Sequence, residues 1–195
     1  MPNNGYVTPS QFSKVMSNGR GKDTFGKTAM TYADEIVLDL LGVKREEITA
    51  PALEWGINLE TVARERYESE TFNSVSVPES ALFHQSVEYV CGTPDGLVGS
   101  KGIIEIKCPY NSLNHLNNIT DGAQIADYNY QIQGYLWITG REWCDFVSFD
   151  PRFPTEMQIA IHRVERDQEV IEQLEARIKD FWDIVQTKYQ SILKR

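Results

Sequence analysis

The amino-acid sequence predicts an α/β or α+β fold, a mixed central sheet with helices on both faces. Three observations carry this. Residues 27–42, 51–69, 123–138 and 166–193 repeat their apolar side chains at helical spacing. Between residues 75 and 107 the period shortens to that of strands, with turn residues between the runs. Two further β-like runs, 144–149 and 157–163, precede the last helix. At 195 residues the chain can bury one sizeable core, so a single domain over 1–195 is expected.

The elements follow in order. Thr8-Pro9-Ser10 reads as a helix start, with Thr8 as N-cap and Pro9 in the first turn. Phe12, Val15 and Met16 form its apolar stripe, and Ser17-Asn18-Gly19-Arg20-Gly21 ends it. In 27–42, Met30, Ala33, Ile36, Val37, Leu40 and Leu41 face inward and Gly42 caps the helix. In 51–69 the expected inward set is Leu53, Ile57 or Trp55, Leu59, Val62, Ala63 and Tyr67. Strands are expected at Val75–Val77, Leu82–His84, Glu88–Cys91, Leu97–Val98 and Ile103–Lys107. Pro94-Asp95-Gly96 and Gly99-Ser100-Lys101-Gly102 supply turns. Residues 111–119 and 123–138 read as helices, and Val170, Leu174, Ile178, Phe181, Trp182 and Val185 line the closing one.

Composition narrows the function. No run approaches the roughly eighteen apolar residues of a membrane span, and Met1–Tyr6 lacks the regions of a signal peptide. The three cysteines are odd in number and widely spaced, which fits a reducing cytoplasm and falls short of a Cys-ligated cluster. A net charge of −9 opposes nucleic-acid binding at first sight. Metal-site carboxylates count as negative until a cation arrives, however, and charge can be segregated. Lys14, Arg20, Lys22 and Lys27 face a single acid, Asp23, within 14–27, so a basic edge is available.

Asp95, Glu105 and Lys107 carry the chemistry. Asp95 occupies the turn Thr93-Pro94-Asp95-Gly96, and Glu105-Ile106-Lys107 follows on a strand. Residues i and i+2 of a strand share a face, so Glu105 and Lys107 point one way while Ile104 and Ile106 point to a core. Alone, Asp95 is a common turn residue and Glu105 with Lys107 fits a solvated face. Together, beside Ile103, Ile104 and Ile106, they place costly charge on a buried strand. Two carboxylates and an ammonium on one surface suit a hard divalent cation and an activated water. His84, His115 and His162 show no metal-ligand spacing.

Asp95…Glu105-Ile106-Lys107 resembles the PD-(D/E)XK nuclease signature. Gly92-Thr93-Pro94-Asp95-Gly96, Ile104-Glu105-Ile106-Lys107-Cys108-Pro109 and Tyr130-Gln131-Ile132-Gln133-Gly134-Tyr135-Leu136-Trp137 are similar to the lambda-exonuclease-like, YqaJ-type viral recombinases. Glu54-Trp55-Gly56 with Glu60, Thr8-Pro9-Ser10 and Phe149-Asp150-Pro151-Arg152 agree. The resemblance spans roughly residues 6–153 and implies a restriction-endonuclease-like core. It implies Mg²⁺, with Mn²⁺ tolerated, held by Asp95, Glu105 and the Ile106 carbonyl, with Glu60 contributing. Lys107 is implied to hold or deprotonate the attacking water, and Gln133 to orient water or the scissile phosphate. The implied activity is digestion of the 5′-ended strand of duplex DNA ends, leaving a 3′ single strand for an annealing protein, by a ring-shaped homotrimer. An arginine expected before the first helix is missing from residues 4–10. Ser10, Arg20, Lys22 and Lys27 are the expected phosphate contacts in its place. An endonuclease or junction resolvase on the same core, and a non-catalytic DNA-binding protein, are the rival readings.

Overall fold

The computed structural model describes residues 5–21, 24–44 and 50–194, so Lys22 lies outside the described residues. Its centre is a five-stranded sheet in the order β1 (Val75–Ser76), β4 (Gly96–Val98), β5 (Gly102–Lys107), β6 (Trp143–Phe149) and β7 (Ile159–Glu165). β4 and β5 form a hairpin, β5 and β6 run parallel, and the remaining pairs are antiparallel. β2 (Leu82–Phe83) and β3 (Cys91–Gly92) make a separate small pair. A parallel step needs a crossover. Here α4 (Ser112–Asp121) and α5 (Ile125–Thr139) supply it.

Alternation along β5 divides the core in two. Ile104 and Ile106 pack with Val147 and Phe149 against Ala63 and Tyr67 of α3 (Pro51–Thr71). Ile103 faces the other way and packs with Cys144 and Phe146 against Ile132, Tyr135 and Leu136 of α5. A third apolar layer lies beyond α5. There Trp137 and Ile138 meet α1 (Phe12–Met16), α2 (Lys27–Leu40) and α6 (Gln168–Leu193). Tyr32 of α2 stacks on Phe181 of α6, and the Asp167 carboxylate caps α6 by accepting from the Glu169 and Val170 N–H groups. On the α3 face, Tyr67 donates to Asp145 at 2.7 Å and Arg163 grips the same carboxylate. The mixed sheet between helical layers agrees with the expected architecture, and no described helix is long and apolar enough to cross a membrane.

Several boundaries differ from expectation. Leu53, Ile57 and Val62 of α3 are exposed rather than inward. The 21 residues of α3 extend roughly 31 Å. The six of β5 extend only roughly 20 Å. The α3 residues that pack with β5 and β6 are Leu59, Ala63 and Tyr67, so the first two turns of the helix extend past that core. Residues 88–89 turn, so the strand expected at Glu88–Cys91 is displaced to Cys91–Gly92, while Val90 bridges to Val7. A 3₁₀ turn over Thr155–Met157 delays β7 to Ile159. α2 ends at Leu40, with Gly42 just beyond at φ +74°.

Gly134 of α5 is fixed by a close approach. A β-carbon there would lie 2.6 Å from the buried Phe12 ring and 3.1 Å from Pro9. Alanine in an open helix position stabilises by about 1 kcal/mol over glycine. Overpacking a filled core costs about 1–3 kcal/mol. Gly134→Ala is therefore expected to lower the thermal midpoint by several degrees, and a thermal melt checks the sign.

Candidate active site

The β4–β5 ladder pairs Gly96 with Ile104, Leu97 with Ile103 and Val98 with Gly102. Extended by one place, it sets Asp95 opposite Glu105, and opposed residues share a face. Asp95 Oδ2 accepts the Ile106 N–H at 2.6 Å, which fixes the acid at the strand edge. Glu105 is 1% exposed. Its Oε1 accepts from Lys107 Nζ and from Gln131 Nε2, each at 2.6 Å. Its Oε2 is buried with no hydrogen-bond partner among the described residues. Lys107 Nζ also sits 4.4 Å above the Tyr128 ring. That ring stacks on Phe146, the β6 residue in register with Glu105.

Burial, then the neighbouring Glu105 charge, raises the Asp95 pKa well above the ordinary carboxylate value. Burial raises Glu105 too, with Lys107 opposing it. For Lys107, burial disfavours the ammonium, but Glu105 and Asp95 outweigh it and hold the pKa above the usual lysine value. In the absence of a cation Lys107 is therefore held in its charged, donating form. Burial pushes the Cys108 thiol up to about 12, with Glu60, Asp95 and Asp150 adding to the effect, so it is no nucleophile.

Two acids stand together, and the sequence-based expectations divide around them. Asp95, Glu105 and Lys107 converge. Glu60 is close enough to act on both acids electrostatically, but its Oε1 is paired with Arg64 at 2.7 Å. No group of three His, Cys, Asp or Glu side chains among the described residues is placed to hold a metal. An oxygen set of Asp95, Glu105 and a main-chain carbonyl such as that of Ile106 fits the chemistry of a hard cation. The orphaned Glu105 Oε2 supplies the structural reason for one: a buried anionic oxygen without a donor is costly.

Gln133 is a correction. It is buried on another side of α5, donates to the Glu165 carbonyl and accepts the Asp167 N–H, and so joins β7 to α6. Gln131 meets Glu105 instead. A turn of about 100° per residue places Tyr128, Gln131 and Tyr135 on one face and Gln133 well away from it. That stripe was the available signal. Ser10 is exposed, beside a Pro9 that packs near Gly92 and Gly134. Arg20 and Lys27 line a cleft of about 1000 Å³ with Ser17, Thr28 and Ile184, and none of Asp95, Glu105 and Lys107 takes part in it.

Two acids and a lysine gathered at the hairpin edge of a mixed sheet suit a hard cation and an activated water. Residues 3–142 match the YqaJ-like viral recombinase domain, and the chain belongs to that family. Its fold is similar to an alkaline exonuclease, LHK-Exo, from Laribacter hongkongensis, at 33% identity and TM-score 0.89 over 98% of this chain and 93% of that one. The same exonuclease in complex with dAMP matches at 33% identity and TM-score 0.88, with the same coverage. A phage-related exonuclease from Haemophilus somnus 129PT shares the fold at 21% identity and TM-score 0.79, over 96% of each chain. No curated protein matches the chain in sequence. The protein is thus a DNA nuclease of the recombinase type.

Two outcomes follow from the geometry. A raised acid pKa makes the charged Asp95 unfavourable in the fold above the ordinary carboxylate range, and this penalty fades as pH falls toward about 4. Asp95→Asn is expected to stabilise the protein in EDTA near neutral pH by about 1 kcal/mol and to lose that gain in acid. Added Mg²⁺ should raise the wild-type melting midpoint and leave that of the variant unchanged. Separately, Gln131→Ala should lower kcat with the melt preserved, whereas Gln133→Ala should lower the melting midpoint first. Paired melts and turnover measurements distinguish the two glutamines.

Proposed function

We propose that the protein is a Mg²⁺-dependent exonuclease that degrades the 5′-ended strand of linear duplex DNA. The 3′ single strand it leaves serves an annealing protein in recombination. The unpartnered, buried Glu105 Oε2 beside Asp95 is the observation that carries this reading. The chain acts as one nuclease domain over 1–195, assembles as a homotrimer and works in the cytoplasm of a bacterial or phage-infected cell. Similarity to two exonucleases, one of them solved with dAMP, supports the substrate class.

Asp95, Glu105 and the Ile106 carbonyl hold the cation, and Mn²⁺ can replace Mg²⁺. When bound, such an ion lowers the pKa of water and polarises a phosphoryl oxygen. Gln131 and Lys107 fix Glu105 through Oε1, which leaves Oε2 directed to the cation. The charged Lys107 donates to water or to a phosphoryl oxygen and offsets negative charge that develops in the transition state. Glu60, held by Arg64, adds negative potential that draws a cation in. Ser10, Arg20, Lys22 and Lys27 contact DNA phosphates.

Digestion of linear duplexes labelled at either end, with and without a 5′-phosphate, tests the reading. Loss of the 5′ label first, an intact closed circle and no product in EDTA are expected. Glu105→Gln and Lys107→Ala should each reduce the rate about 10²–10³-fold while DNA binding persists. Undiminished digestion by both variants, or cleavage of the closed circle, would sink it.

A further inference from the structure

β5 ends at Lys107, and Cys108-Pro109-Tyr110 leaves the sheet directly beside the acidic cluster. Three residues span at most roughly 11 Å. Tyr110 is 56% exposed. Its ring has no place in any of the three apolar clusters. Its backbone, by contrast, is held firmly. Arg152 donates to the Pro109 carbonyl at 3.0 Å and to the Tyr110 carbonyl at 3.1 Å from both terminal nitrogens. The fully buried Asp150 anchors that guanidinium with two contacts of 2.7 Å. The Arg152 guanidinium lies 4.5 Å over the Trp55 ring in the first two turns of α3. Trp55 in turn meets the Tyr110 ring edge-on, with centroids 6.2 Å apart. Arg152 thus ties Pro109 and Tyr110 to the buried Asp150.

We propose that Tyr110 is a stacking platform for one unpaired nucleobase, that of the terminal nucleotide whose phosphate lies at Asp95 and Glu105. The assignment rests on the exonuclease reading above. Glu105 is almost wholly buried, and in this proposal the terminal nucleotide parts from the opposing strand as its phosphate enters. The freed base then loses its stacking and its partner. A tyrosine ring with a fixed backbone and two side-chain torsions offers a replacement face at little ordering cost. Every base has such a face, so the platform is indifferent to sequence, as digestion through any sequence requires.

Initial rates of release of the labelled 5′-terminal nucleotide, ordinary or abasic, from linear duplexes test the proposal. Tyr110→Ala is expected to raise KM about tenfold on ordinary ends, the scale of losing one stacked base, with kcat little changed. Tyr110→Phe keeps the ring and should behave as wild type. On abasic ends the wild type and Tyr110→Ala should be equal. A Tyr110→Ala enzyme with wild-type KM on ordinary ends, or one equally impaired on abasic ends, overturns the platform. So does a change in oligomeric state without any dependence on the terminal base, which would make Tyr110 a subunit contact. Wild-type failure to digest linear duplex in Mg²⁺ would remove the exonuclease reading itself, and this control separates the two.

Discussion

Glu105 lies almost wholly buried on a strand that also carries the core residues Ile103, Ile104 and Ile106. A carboxylate in such a place is tolerable only with partners, and its surroundings are arranged to provide them. Lys107 and Gln131 occupy one oxygen, while hairpin register sets a second acid alongside the other. A slip of one residue in the β4–β5 pairing would put Asp95 on the opposite face from Glu105 and dissolve the cluster. The short turn over residues 99–101 and the tight packing at Gly96 and Gly102 hold that register. A β-carbon at Gly96 would strike Val75, and one at Gly102 would strike the Trp143 ring.

α5 links this chemistry to the rest of the fold. One stripe of the helix, through Ile132 and Leu136, closes the core over Ile103 and Phe146. Tyr128 and Gln131 meet the charged face of β5, and Tyr135 lies close enough for Glu105 and Asp95 to act on its phenol. Gln133, Gly134 and Trp137 turn toward the outer helical layer. The position of Gln131 is therefore set by packing on every side of one helix. That explains why a neighbouring glutamine of the same type serves the closing helix and leaves the acids alone.

The electrostatics follow from the same crowding. Burial raises the pKa of both acids, and the Glu105 charge adds to it at Asp95, so the pair is unfavourable when charged and empty of cations. Such a site costs stability in the absence of a cation. Without a cation, Lys107 is held in its charged form by the carboxylates it serves.

The sequence by itself determined the helical and strand periods, the mixed sheet between helices, and the convergence of Asp95, Glu105 and Lys107. Each depends on spacing of two to four residues or on a hairpin turn, and local geometry fixes such spacings. Helical spacing separates Gln131 from Gln133 by face, but only docking against β5 and α6 decides that the Gln131 face meets the acids while Gln133 joins β7 to α6. The sequence could not decide the exposure of Leu53, Ile57 and Val62, since a helical apolar stripe carries no record of where the underlying sheet stops. The pairing of Glu60 with Arg64 and the grip of Arg152 on Tyr110 have the same character. One is a choice between two partners, the other a contact across forty-odd residues, and in each the assembled tertiary structure decides.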